Sequence, residues 1–245
     1  MPALAFYIDA PLQSWGASSK YQHRETNNFP TKSGIIGLIA AALGIDKHRF
    51  DEAEHLRPLV ALRFTAVKLG ATKHHIGRLT DFHTVGGGYD KTIKWEKMSI
   101  PQKAKTGGPS WTVLTHRSYL TDARFVILLD SPDLALLEKI QSALLDPTWG
   151  VWFGRKHCIP ASPLAPALAE TREAAFEKLI EALPGVEAPE LAKCEYQEEV
   201  ASPDDEGDGI FYQSDQPVAY GRHHGAVPAP YRARGIRQHR PKTAN

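Results

Sequence analysis

The 245-residue chain is 42% apolar with tyrosine counted, and its 29 Lys and Arg against 28 Asp and Glu leave a formal net charge of +1. That composition excludes collagen, a coiled coil and a largely disordered chain, and it suffices for one large domain or two small ones with a real core. No run of about 18 apolar residues occurs, so no membrane-spanning helix is expected. No secretory leader pattern is apparent. Two cysteines, Cys158 and Cys194, fit a reducing cytoplasm and not a disulfide framework or a multi-cysteine zinc module.

Leu4 to Asp9 is short, apolar and β-prone, and Ala10-Pro11 stops it. Gln13 to Phe29 lacks periodicity and reads as a loop. Thr31-Lys32-Ser33 opens a helix whose apolar body is Ile35, Ile36, Leu38, Ile39, Ala42 and Leu43, with Thr31 or Ser33 as its cap and Gly44 as its end. Leu59 to Val67 reads as a strand. The segment from Lys68 to Trp111 is rich in Gly, Lys, Thr and aromatics, with turn signals at Gly86-Gly87-Gly88 and Gly107-Gly108-Pro109. Phe125 to Leu129 is a buried-strand run. Ser131-Pro132-Asp133 then starts an amphipathic helix through Leu134, Leu137, Ile140, Leu144 and Leu145. Val151-Trp152-Phe153 is expected to be a last short strand, and Glu170 to Leu183 a further helix ended by Pro184-Gly185. Without its loops, the first 160 or so residues run β-α-β, a long insertion, then β-α-β. That is the order of an α+β, ferredoxin-like (RRM-like) fold. In its RNA-binding versions the sheet face meets single-stranded RNA.

The near-zero net charge hides a segregation. Lys68, Lys73, Arg78, Lys91, Lys94, Lys97, Lys103, Lys105 and Arg117 face only Asp81, Asp90 and Glu96 in the insertion. From Gln216 onward there are six cations (Arg222, Arg232, Arg234, Arg237, Arg240, Lys242) and no acid, whereas Glu195 to Asp208 is purely acidic. Clustered Lys and Arg suit a polyanion. Two places could hold its phosphates. One is the helix start at Thr31, Lys32 and Ser33, where free amides and the positive dipole end meet a cation. The other is Gly154-Arg155-Lys156, where glycine allows close backbone approach beside two cations. The histidines lack metal-ligand spacing, so no zinc site is expected. His83 or His116 beside Tyr119 keeps metal-free ribonuclease chemistry open.

Five stretches in order carry a resemblance: Pro11 to Gly16, Phe29 to Leu38, Asp81 to Val85, Arg117 to Phe125 and Gly154 to Pro160. Together they resemble the CasD family, the crRNA 5′-handle-binding subunit of type I-E CRISPR Cascade. The resemblance implies a RAMP-type protein with a ferredoxin-like palm over residues 1–165. A β-hairpin thumb would be inserted at about 79–117. A C-terminal extension over 166–245 (helix, acidic stretch, basic tail) would pack on the palm. It implies a subunit that caps the CasC backbone filament, grips the crRNA 5′ handle and contacts CasA. CasB and CasE share the complex, target DNA is met through it, and processing belongs to CasE. The RNA-contacting set is then Gln13, Trp15, Arg24, Thr31, Lys32, Ser33, His83, Arg117, Tyr119, Gly154, Arg155 and Lys156, with no catalytic residue, cofactor or metal. The thumb is expected to order only in the assembled complex, with Trp95 and Trp111 docking on CasC. The C-terminal region is longer and more basic than the resemblance implies. A related type I-C subfamily cuts its crRNA with a Tyr and a Lys-His pair; here Thr115 precedes His116. Metal-independent cleavage of repeat RNA is the alternative function, and a generic RRM-like RNA binder is a third.

Overall fold

The computed structural model describes residues 1–16, 19–20, 22–49, 51–70, 76–85, 113–188, 190–200, 210–218, 220–221 and 232–240. In chain order the elements are β1 (Ala3–Gln13), β2 (Ser19–Lys20), β3 (His23–Arg24), α1 (Lys32–Ala42), α2 (Glu52–Val60), β4 (Arg63–Leu69) and β5 (Gly77–Val85). Then come β6 (Val113–Asp130), α3 (Leu134–Leu145), β7 (Ala167–Ala169), α4 (Arg172–Ala182), β8 (Glu195–Glu199), β9 (Ile210–Gln216) and β10 (Arg232–His239). The chain is a mixed α/β protein built on one largely antiparallel sheet.

β6 is the spine of that sheet. Its second half, Arg124 to Asp130, pairs with β1 on one side and β4 on the other. Its first half pairs with β5, from Gly77↔Thr121 to Val85↔Val113, and in parallel with β3 at His23↔His116 and Arg24↔Arg117. The halves meet at Asp122, which has φ 51°, while the β1 register passes from Ala10↔Ala123 to Leu12↔Thr121 across it. Left-handed backbone is uncommon outside glycine, with Asp and Asn the usual exceptions. β7 flanks β1, and the C-terminal strands extend the other edge in the order β4-β8-β10-β9. The tip of the β5–β6 ribbon, with Trp95, Trp111 and the Gly86 to Gly108 turn signals, lies outside the described residues, as do the acidic run 201–209 and residues 222–231 and 241–245.

Alternation along the central strands divides the core into two layers. Leu4, Phe6, Ile8, Phe125, Ile127 and Leu129 pack under α1, α2 and α3 through Ile35, Ile39, Leu56, Leu137 and Ile140. Ala3, Ala5, Tyr7, Val126 and Leu128 pack under α4 through Ala175, Phe176 and Leu179. Burial on both faces explains the unbroken apolar runs of β1 and β6. It also corrects one expectation: α4 covers the sheet face that RRM-like proteins offer to RNA.

Local expectations also change: β1 runs through Ala10 and Pro11 to Gln13, and β2 and β3 form inside the stretch expected to be a loop, β3 pairing with β6. Leu59 and Val60 end α2 instead of starting a strand, because Leu56 and Leu59 face the core one turn apart and Glu52 is anchored from outside. Its carboxylate accepts the amides of Tyr220 at 2.9 Å and Gly221 at 2.8 Å. Val151 to Phe153 forms no strand: Phe153 is buried in a tight loop closed by its amide on the Cys158 carbonyl at 2.8 Å, and β7 takes the edge. β6 runs through 18 residues, because its first half alternates polar side chains that a search for apolar runs misses. The helix starts are as expected. Thr31 accepts the Gly34 amide at 3.2 Å and Asp133 the Leu136 amide at 3.0 Å.

Candidate nucleic-acid interface

At the start of α1 the expected phosphate donors already have partners. The Lys32 amide donates to Asp215 at 2.8 Å, and its ammonium donates to Glu199 at 2.9 and 2.7 Å. Asp215 is also held by Arg234 at 2.6 and 2.9 Å and by Gln213 at 2.8 Å. The Arg234 guanidinium lies 5.0 Å from the centre of the Phe64 ring. Lys32 is 1% exposed; burial pushes its ammonium below the usual range, with Glu199 pulling the other way. Ser33 offers its carbonyl to the Tyr220 hydroxyl. A helix start that would attract an anion thus holds carboxylates from β8 and β9.

Gln13 and Trp15 are buried behind this site. Gln13 donates to the Ala123 carbonyl and accepts from the Trp15 indole at 3.1 Å. Trp15 lies 6.2 Å from Phe153, and its ring would be only 3.0 Å from a Cβ at Gly34. Gly154 has φ 93°, and a Cβ there would sit 1.7 Å from the Ser14 carbonyl oxygen. Only glycine fits, and the close approach delivers Arg155 to the first half of β6.

There the remaining expected residues come together. Arg155 donates to the carbonyls of Ser118 at 3.1 Å and Arg24 at 3.0 Å, and its guanidinium lies 4.3 Å from the centre of the Tyr119 ring. The Tyr119 hydroxyl and His157 Nε2 share a hydrogen bond of 2.8 Å. His83 stacks on His157 at 6.4 Å and pairs with Asp81. Arg117 is half-buried and braced on Thr115 at 3.2 Å. Lys156 is exposed beside Trp152, and Arg24 is exposed on β3. Burial, then Arg155, His83 and Arg117, hold the His157 imidazole below its usual range against the opposing pull of Asp81. This is a cationic surface with imidazole donors at the base of the β5–β6 ribbon. Thr31, Lys32 and Ser33 do not join it.

Sequence reasoning passed over His157, although it stands two residues after Arg155 in the same motif. It also passed over His23, which carries no local signal. Both become neighbours of ribbon histidines only in the fold: the Gly154 loop brings His157 to His83, and strand pairing stacks His23 on His116 with centroids 4.9 Å apart and planes 5° apart. Among the described residues no group of three His, Cys, Asp or Glu gathers as metal ligands. None of the described helices is long and apolar enough to cross a membrane.

Comparison with known proteins follows this geometry. The sequence profile of the CRISPR-associated protein (Cas_Cas5) family matches residues 3–238. The CRISPR system Cascade subunit CasD of Escherichia coli (strain K12) is 29% identical over 167 residues, 66% of this chain and 68% of the relative. A chain of a solved CRISPR RNA-guided surveillance complex superposes with a TM-score of 0.65 at 26% identity, covering 97% of this chain and 89% of that one. A crystal structure of a Cas protein gives a TM-score of 0.55 at 26% identity, with 97% and 93% covered.

Proposed function

The chain belongs to the CRISPR-associated protein (Cas_Cas5) family, and from that premise we propose that it is a non-catalytic, RNA-binding subunit of a type I-E Cascade surveillance complex. In this reading it works in the cytoplasm, grips the crRNA 5′ handle and caps the CasC filament beside CasA. The strand order β7-β1-β6-β4, with α1 and α3 on one face, supports a ferredoxin-like palm; the β5–β6 ribbon is then the thumb, and β8 to β10 belong to the C-terminal extension. The observation that carries the reading is the gathering of Arg24, Arg117, Arg155 and Lys156 with Tyr119, His83 and His157 where thumb and palm meet. RNA backbones are held by such cations and unpaired bases by exposed rings, here the exposed His157, which the buried Tyr119 positions through its hydroxyl, and the half-buried His83.

One feature favours the alternative. The hydrogen-bonded Tyr119–His157 pair, with His157 biased toward its neutral form, could move a proton in metal-free cleavage. Incubating the protein with RNA from its own CRISPR repeat in EDTA separates the two. Tight binding without cleavage is expected. Replacing Arg155 and Lys156 with Ala should weaken binding and flatten its dependence on log salt by up to about 0.7 per lost phosphate contact. Cleavage that disappears in His157→Ala would establish the nuclease instead, and an unchanged salt slope would remove Arg155 and Lys156 from the interface.

A further inference from the structure

We infer that Phe82, His116 and His23 form a stacking platform for an unpaired nucleobase of single-stranded RNA, on the ribbon face opposite the Arg117 and His83 side chains. This rests on the RNA-binding reading and adds to it a second, non-ionic point of contact. Phe82 is paired across the ribbon with His116, and His116 with His23 on the next strand, so strand alternation turns all three to one face. Asp81↔Arg117 and His83↔Thr115 lie on the other face. The His23 and His116 rings are stacked, and Phe82 meets His116 nearly edge-on, with centroids 5.3 Å apart at 69°.

Folding does not explain this column. Phe82 is 58% exposed, His23 is exposed, and neither belongs to a core layer. Charge argues for the occupant. The exposed Arg78, two residues beyond Thr80 on β5, stands on the platform's own face, while Arg24 and Arg117, chain neighbours of His23 and His116, stand on the face behind it. Across the ribbon Thr80 and Ser118 make that flank polar, and Leu114 opposite Thr84 is the apolar neighbour on the other flank. A base offers a flat π-face to such rings whatever its identity, and its phosphates are drawn to the nearby guanidinium groups. A protein docking face of comparable size would need more aliphatic surface than one leucine.

The test uses the full chain and RNA from its own CRISPR repeat, with 2-aminopurine replacing each adenine in turn. At one position the fluorescence should be quenched on binding. In Phe82→Ala that quench should vanish and affinity should fall between about fivefold and 150-fold, the range seen when one stacking aromatic is removed. The salt slope should stay that of the unaltered protein, because no ion pair is lost. Phe82→Trp should restore both quench and affinity, which a merely disturbed fold would not allow. If the unaltered protein binds RNA with its full salt slope but Phe82→Ala binds equally well, the platform is overturned and the cationic grip stands. Loss of CasC or CasA binding in Phe82→Ala with RNA affinity intact also overturns it, in favour of a protein contact. Failure of the unaltered protein to bind RNA at all overturns both readings.

Discussion

The start of α1 and the base of the β5–β6 ribbon are alike in sequence: each has a glycine, a cation and hydroxyl or ring donors. They differ in what the rest of the chain brings to them. At α1, β8 and β9 bring Glu199 and Asp215, so Lys32 is sealed in the interior with its charge matched. At the ribbon base the strands bring Arg24 and Arg117 and the Gly154 loop brings His157, with Asp81 as the acid facing them. A cationic motif is a site for an external anion only where folding does not supply an internal one. That is decided by residues more than a hundred positions away.

The largest effect should come from Asp215→Ala. It removes the partner of an arginine 4% exposed at the side chain, and stranding one half of a buried pair costs about 3–5 kcal/mol. The unfolding free energy from urea titration should fall accordingly; a loss under about 1 kcal/mol would mean that Arg234 finds water or another acid and that the α1 start is less sealed than its geometry implies. Next is Lys32→Met, which keeps the length of the side chain and leaves Glu199 its contact with the Phe64 amide at 3.2 Å. It should cost about 1–3 kcal/mol and leave the salt slope of RNA binding unchanged. A slope reduced by about 0.7 would place a phosphate at α1 and erase the distinction between the two regions.

The smallest effect is on pH dependence. Burial raises the Glu198 carboxyl, but hydrogen bonds from His239 and Arg172 and the charges of Arg172 and Arg63 outweigh it, so its pKa lies below the ordinary 4.5. The stability it contributes is full above about pH 4.5 and is lost as pH falls through the lower, folded value. His157 is also lowered, but it is a base. The unfolded chain takes its proton first, so stability at the ribbon base declines as pH falls through 6.5. A thermal-melting series from pH 7.5 to 3.5 should show a shallow decline followed by a steeper one. His157→Gln should remove only the first; if it removes neither, the imidazole is as exposed to proton exchange as a free one.

What was legible in the chain was whatever is local. The apolar runs of β1 and the second half of β6, the helix caps at Thr31 and Asp133, and the Gly154-Arg155 motif all announce themselves within a few residues. Lys32 did not, because its partner Glu199 stands 167 residues on, inside a run that looks like solvated acid. The acids at 198, 199 and 215 balance Arg63, Arg172, Arg234 and Lys32, and only the strand order β4-β8-β10-β9 brings them there. Four histidines scattered from 23 to 157 had no shared spacing. Pairing of β3 and β5 with β6 placed three of them, and the loop fixed by Gly154 placed the fourth.

Asp122 gives the molecule its steering. The nine residues of β6 before it form an arm that spans about 30 Å, the last two still paired with β1 and Tyr119 and Leu120 still buried, and those after it are clamped between β1 and β4 in the core. A change of about 10° in the heading of the chain at this one exposed residue swings the far end of the arm by about 5 Å. The heading of the described arm is therefore set at a residue outside both core layers.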